Sequence, residues 1–205
     1  MHRIFFLSPA RTSGKRASIL MSERADFDLA KRLRSSEGAS LGEVFSFLSG
    51  LYFRGKFAYS THFGRPPHKV APHYVITSDA GLMNPDELLS FARLKAFGDV
   101  PIDLLEPRYT EPLQASIAAL KQNIFQECEV VLLGSIATDK YVEILVQAFG
   151  PRLVFPREFI GRGDMSRGGL LLRAVQADKE LECISLSEVE SRRGKRPPKL
   201  PRKAT

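Results

Sequence analysis

The sequence predicts an α/β domain in which a mostly parallel central sheet is flanked by helices, with ligand loops at the strand C-terminal ends. Two observations carry that expectation. Short runs rich in Val, Ile, Leu and Phe recur at residues 4–7, 74–76, 130–133, 153–155 and 181–186, and segments with helical spacing of apolar residues separate them. Alternation of this kind is the pattern of strand, crossover helix and strand that builds a parallel sheet. With 205 residues, 43% of them hydrophobic, the chain reads as one domain over residues 1–190 followed by a basic, Pro-rich tail over 191–205.

Taken in order, the strand at 4–7 is followed by one helix or two short ones between residues 17 and 33, where Ile19, Leu20, Phe27, Leu29, Ala30 and Leu33 supply an apolar face. A helix over 41–59 carries the stripe Val44, Phe45, Leu48, Leu51 and Tyr52. Residues 64–72, with three prolines, read as a loop before the strand at 74–76. Asn84-Pro85 predicts a helix start, with Asn84 as cap and Pro85 in the first turn, and Thr110-Glu111-Pro112 predicts another. After the strand at 130–133, Thr138-Asp139 begins a helix that Gly150-Pro151 ends. The run Gly161-Arg162-Gly163-Asp164-Met165-Ser166-Arg167 then joins the strand at 153–155 to a helix through Leu170-Leu171-Leu172.

The net charge of +7 lies in the tail. Arg192, Arg193, Lys195, Arg196, Lys199, Arg202 and Lys203 occur there with no acidic residue, and removing them leaves 23 basic against 23 acidic residues. Three prolines in the same stretch oppose a helix or a central strand, so a disordered or extended tail is expected. Such a tail either holds nucleic acid through its phosphates or serves as a solubilising terminus. No apolar run approaches the ~20 residues that span a bilayer, and four apolar residues after Met1-His2-Arg3 are too few for a signal segment. The expectation is a cytoplasmic protein with no membrane partner. Cys128 and Cys183 read as buried free thiols.

Four runs carry chemistry. Ser8-Pro9-Ala10-Arg11-Thr12, Gly134-Ser135-Ile136-Ala137-Thr138-Asp139-Lys140-Tyr141 and the run at 161–167 each follow a predicted strand, where α/β sheets place ligands; Leu48-Ser49-Gly50-Leu51-Tyr52 is the fourth. Convergence of the strand-end loops brings Arg11, Lys15, Arg162 and Arg167 around one concavity. Ser8, Ser135 and Ser166 then act as hydroxyl donors, and Asp139 and Asp164 serve as acid or base or orient a ribose. The competing reading of both aspartates is helix capping. A P-loop does not fit, because Pro9 stands where its first glycine belongs and Arg16 where its Ser or Thr follows Gly14-Lys15. His62, His68 and His73 lack helical metal-pair spacing, so surface histidines are expected and no metal site. No Gly-x-Ser-x-Gly elbow is present.

Together these runs resemble the YaaA family of bacterial proteins associated with peroxide stress. Its members begin with a strand ending in Ser-Pro-Ala-Lys-Thr, matched by residues 8–12, and carry Leu-Ser-Gly-Leu-Tyr, matched by 48–52. They also carry Arg-Gly-x-Met-Ser-Arg, matched by Arg162, Gly163, Met165, Ser166 and Arg167, and residues 135–141 are a looser counterpart of a further motif. The family lysine of the first motif is Arg11 here, which keeps the charge and loses a titrating amine. The interval between the first two motifs is shorter than in the family, so its DNA-binding helix-hairpin-helix is not carried over. The segment from Tyr74 to Leu82 resembles one in small α/β proteins, some of them fused to nucleobase-modifying enzymes of transfer RNA. The resemblance implies an anionic small molecule or nucleotide as ligand. Arg11, Arg162 and Arg167 would bind its anion, and Asp139 or Asp164 would act on a nucleobase or glycosidic bond; the cofactor is left unknown. The alternative is a non-enzymatic DNA- or RNA-binding stress-response protein that relies on residues 192–203.

Overall fold

The structure is a computed structural model that describes residues 1–137, 139–189, 194, 195, 197, 198 and 200. The chain runs β1 (Arg3–Leu7), α1 (Lys15–Leu20), α2 (Asp28–Arg34), β2 (Ala39–Ser40), α3 (Leu41–Ser49) and α4 (Leu51–Phe63). It continues through β3 (His73–Ile76), β4 (Leu82–Met83), β5 (Leu88–Leu89), α5 (Phe91–Asp99), α6 (Pro107–Lys121) and β6 (Glu129–Leu133). It closes with α7 (Val142–Phe149), β7 (Leu153–Pro156), α8 (Asp164–Gln176) and β8 (Cys183–Ser185).

The six-stranded sheet has the order β4-β3-β1-β6-β7-β8. Its four inner strands are parallel, and β4 and β8 pair antiparallel at the two edges. Every residue of β1 and β7 is buried, as a parallel strand covered on both faces requires. Successive β1 side chains show the layering: Phe5 meets Tyr59 of α4 edge-on at 5.8 Å between ring centroids, and Phe6 meets Phe149 of α7 at 5.5 Å. Since neighbouring residues of a strand point to opposite faces, α4 covers one face and α7 the other. Ala39–Ser40 and Leu88–Leu89 form a separate two-stranded ribbon. Among the described residues no helix is long and apolar enough to cross a membrane.

Several local expectations change. The helix expected over 41–59 is two helices, broken at Gly50, whose φ of 61° no ordinary helical residue adopts. Asn84-Pro85 opens no helix. The Asn84 side chain accepts from the Asp86 amide at 3.0 Å, and the Pro85 and Glu87 carbonyls take the amides of Gly42 and Leu41 at the start of α3. That geometry keeps the segment extended, so Leu88–Leu89 becomes β5 and the helix waits for Ser90, whose hydroxyl accepts from Arg93 N. The next helix begins at Pro107 with Glu106 as cap rather than at Thr110, and it contains Pro112. The run at 181–186 yields only β8 before Leu186 opens a 3₁₀ turn. Among the histidines, His73 is buried rather than on the surface, with its ring nitrogen 2.8 Å from Ser60 Oγ, and His62 meets the Asp178 carboxylate at 2.7 Å. In the tail, Arg192, Arg193, Arg196, Lys199, Arg202 and Lys203 lie outside the described residues, as does Thr138 in the third run.

Candidate functional site

In the order β3-β1-β6 the chain passes from β1 to β3 on one side and reaches β6 on the other. The loops after β1 and β6 therefore part company at their carboxyl ends, where open α/β sheets form a ligand crevice. A cavity of about 580 Å³ occupies that position. All four runs contribute to its wall: Ser8 to Arg11 from the first, Leu48, Ser49 and Tyr52 from the second, Ser135, Lys140 and Tyr141 from the third, and Asp164 from the fourth. Ile102 adds an apolar wall from the segment between α5 and α6.

The floor of this site is built by a close approach of α4 to α8. A Cβ at Gly55 would lie 2.6 Å from the Gly168 carbonyl oxygen, and a Cβ at Gly168 would lie 2.6 Å from the Leu51 carbonyl oxygen. Only glycine at both positions lets the two backbones touch. The contact puts Tyr52 and Lys56, on the inner face of α4, beside Asp164 and Arg167 in the first turn of α8.

Lys56 is the unusual residue of the molecule. It is 1% exposed, and its ammonium nitrogen reaches the loop after β1, 2.5 Å from the Ser8 carbonyl oxygen and 3.0 Å from Ser8 Oγ. The rings of Tyr52 and Phe53 lie 4.5 and 4.9 Å from Nζ. Among the described residues it forms no ion pair with a carboxylate. Burial strips water from the charged form and pulls the amine down to about 7; attraction from Asp164 opposes the fall and repulsion from Arg167 adds to it. A buried lysine poised near neutrality is a group able to give or take a proton.

Around Ser8 the packing is close. Tyr141 donates to the Ser135 carbonyl at 3.0 Å, and burial pushes its phenol up to about 12 against the hydrogen-bonding influence of Ser8 and Ser135. A Cβ at Gly134 would sit 2.8 Å from the Tyr141 hydroxyl and 3.0 Å from Ser8 Cβ, so glycine there lets Tyr141 close against Ser8. Tyr52 is 5% exposed, and its buried hydroxyl has no hydrogen-bond partner among the described residues. Burial raises its pKa while the nearby Arg167 guanidinium works the other way.

The structure thus brings Ser8, Arg11, Ser135 and Asp164 to one cavity and adds Lys140, Tyr141 and Tyr52. It sends other residues elsewhere. Arg162 and Ser166 bond to each other at 3.2 Å and line a second cavity of about 300 Å³ with Met165, Arg173, Pro197, Pro198 and Leu200, where Arg162 also donates to the Pro198 carbonyl. Arg167 is 6% exposed and turned inward: two of its guanidinium nitrogens donate to the Phe159 carbonyl, and a third lies 3.5 Å from Asp164. Its position is that of a brace between the β7 exit and α8. Asp139 is exposed and outside the cavity lining, and Lys15 is exposed at the start of α1.

Lys56 escaped the reading of motifs because no strand-end loop contains it, and Tyr52, inside the second run, was given no role of its own. A signal was present. Tyr52, Lys56, Tyr59 and Phe63 recur at helical spacing, which places a lysine in the middle of an apolar stripe. No protein-family model, curated protein or solved structure matches the chain, so the site rests on its own geometry.

Proposed function

We propose that the protein binds a small anionic ligand, phosphorylated or nucleotide-like, in the cavity between the ends of β1 and β6. The carrying observation is the convergence of all four runs on one cavity with Arg11 and Lys140 in its wall. Among the described residues neither cation forms an ion pair, which leaves both charges for a ligand. The volume suits a mononucleotide-sized molecule, within the ~300–1,000 Å³ usual for small-molecule sites. Ser49 and Ser135 offer hydroxyls for a sugar or phosphate oxygen, and Asp164 offers a carboxylate to a ribose or base edge.

Isothermal calorimetry with AMP, ribose 5-phosphate and inorganic phosphate tests this reading. Binding of at least one, weakened 10-fold or more in Arg11→Ala and unchanged in Arg162→Ala, is the expected result. If none of the three binds, or if Arg162→Ala weakens binding as much as Arg11→Ala, the reading is wrong.

A further inference from the structure

We propose that Ser8 and Lys56 form a nucleophile and base pair that transfers the acyl group of an ester or thioester. Only the placement of the substrate's anionic part against Arg11 and Lys140 rests on the preceding reading; the pair stands on its own geometry. Ser8 is the one described hydroxyl that both lines the cavity and lies within hydrogen-bond distance of a lysine amine. The contact is 3.0 Å, within the reach a base needs to remove a nucleophile's proton.

The surroundings of Lys56 make its neutral form accessible. From α4, Tyr52 and Phe53 present ring faces; from α8, Asp164 favours the ammonium and Arg167 opposes it; Ser8 covers the nitrogen from β1, and Tyr141 closes the far side of Ser8. The amine consequently titrates near neutral pH, where a useful fraction is unprotonated. In that form one N–H keeps the Ser8 carbonyl contact while the lone pair accepts the Ser8 hydroxyl.

The steps balance. Ser8 Oγ attacks the acyl carbon as its proton passes to Lys56 Nζ, and the carbonyl oxygen becomes an oxyanion. The tetrahedral adduct expels the alcohol or thiol, which takes the proton from Lys56. Water then attacks the acyl-Ser8 ester, its proton going to the neutral amine, and the carbon–Oγ bond breaks as Lys56 returns a proton to Oγ. The products are the carboxylic acid and the alcohol or thiol, with the enzyme restored. The buried hydroxyl of Tyr52, which lines the same cavity without a hydrogen-bond partner among the described residues, is the donor left for the oxyanion.

The full chain treated with an alkyl fluorophosphonate tests the pair, with the adduct located by peptide mass spectrometry and its rate followed from pH 5.5 to 9. The expected adduct is on Ser8, with a rate that climbs through about pH 7 and then levels. Lys56→Met lowers that rate at least 100-fold while keeping the wild-type circular dichroism, Tyr52→Phe lowers it about 10-fold, and Ser8→Ala abolishes it. Should Lys56→Met fail to fold, the adduct site and the wild-type pH profile decide. An unmodified Ser8, a rate flat across pH 7, or a folded Lys56→Met that labels normally would overturn the proposal and leave Lys56 as a structural cap on the β1 exit. Calorimetry separates this outcome from failure of the preceding reading. Ser8→Ala still binds AMP if only the chemistry is misassigned, whereas Ser8 labelling without any AMP, ribose 5-phosphate or phosphate binding removes the anion pocket and keeps the pair.

Discussion

The two ends of the central strand β1 each bury a cation, and the chain treats them in opposite ways. At the entering end, Arg3 is met by two carboxylates: its Nε lies 2.8 Å and its Nη2 2.5 Å from Glu129, and Nη1 pairs with Glu180, which also takes Arg65. Burial opposes the Arg3 charge, but the hydrogen bond and attraction from Glu129, joined by Glu180, outweigh it and raise its pKa. At the leaving end, Lys56 has the Ser8 carbonyl and hydroxyl and two aromatic faces, with no ion pair among the described residues. There burial prevails and the amine is driven toward neutrality. Desolvation alone therefore does not make a titrating group. What decides is whether the surroundings return the charge stabilisation that water gave.

The largest effect expected from perturbing this contrast is in the pH dependence of stability. The Lys56 pKa is about 7 folded against 10.5 for the ordinary side chain. Between those values the unfolded chain binds the extra proton, so stability rises with pH in that window and is level with respect to this group below pH 7. The slope is ~1.4 kcal/mol per pH unit, reaching roughly 4 kcal/mol by pH 10. Lys56→Met removes it, and urea unfolding of both proteins at pH 7, 8.5 and 10 should show the wild type gaining on the variant by that amount. Equal pH slopes would mean that Lys56 is solvated.

Next in size, Glu129→Leu should make the entering end resemble the leaving one by stripping Arg3 of its main partner. A loss of about 3 kcal/mol in denaturant unfolding at pH 7 is expected, since breaking one side of a largely buried pair strands the other charge. Gly168→Ala acts on the leaving end alone. Its Cβ would meet the Leu51 carbonyl and Tyr52 Cα at 2.6 and 2.7 Å, which forces α4 and α8 apart at about 1–2 kcal/mol and should slow Ser8 labelling as Lys56 moves. The smallest effect belongs to Arg65→Ala. Arg65 is 48% exposed, so its ion pair with Glu180 is worth under about 1 kcal/mol and should fade further in 1 M salt.

How legible these features are in the sequence differs by kind. The inner strands were readable because each is a short, unbroken apolar run between turn residues, and the paired helices over 17–33 because their apolar spacing repeats. Leu82–Met83 and Leu88–Leu89 were not, because two-residue strands have no period and exist only through their partners. Asn84-Pro85 misled for a related reason: its cap chemistry is real, yet Leu41 and Gly42 bond to the carbonyls that a helix would have withdrawn. In the site, Ser8, Arg11, Ser135 and Asp164 were marked by their place after strands. The grouping of Arg162 and Ser166 with them was not realised, since the fourth run opens a helix whose successive residues look into different cavities.

The sequence by itself determined the α/β class, the positions of the core strands along the chain and the strand-end runs, all of which follow from local hydrophobic period and turn chemistry. It also determined that the excess charge sits at residues 192–203. Tertiary structure alone decided which of those runs share a cavity, and it alone made Lys56 a titrating group. The physical reason is that a pKa depends on what surrounds a side chain from every direction. The Tyr52 and Phe53 rings lie on the same helix as Lys56, but the Ser8 carbonyl and hydroxyl and the Gly168 backbone that closes over α4 come from segments far away in the chain.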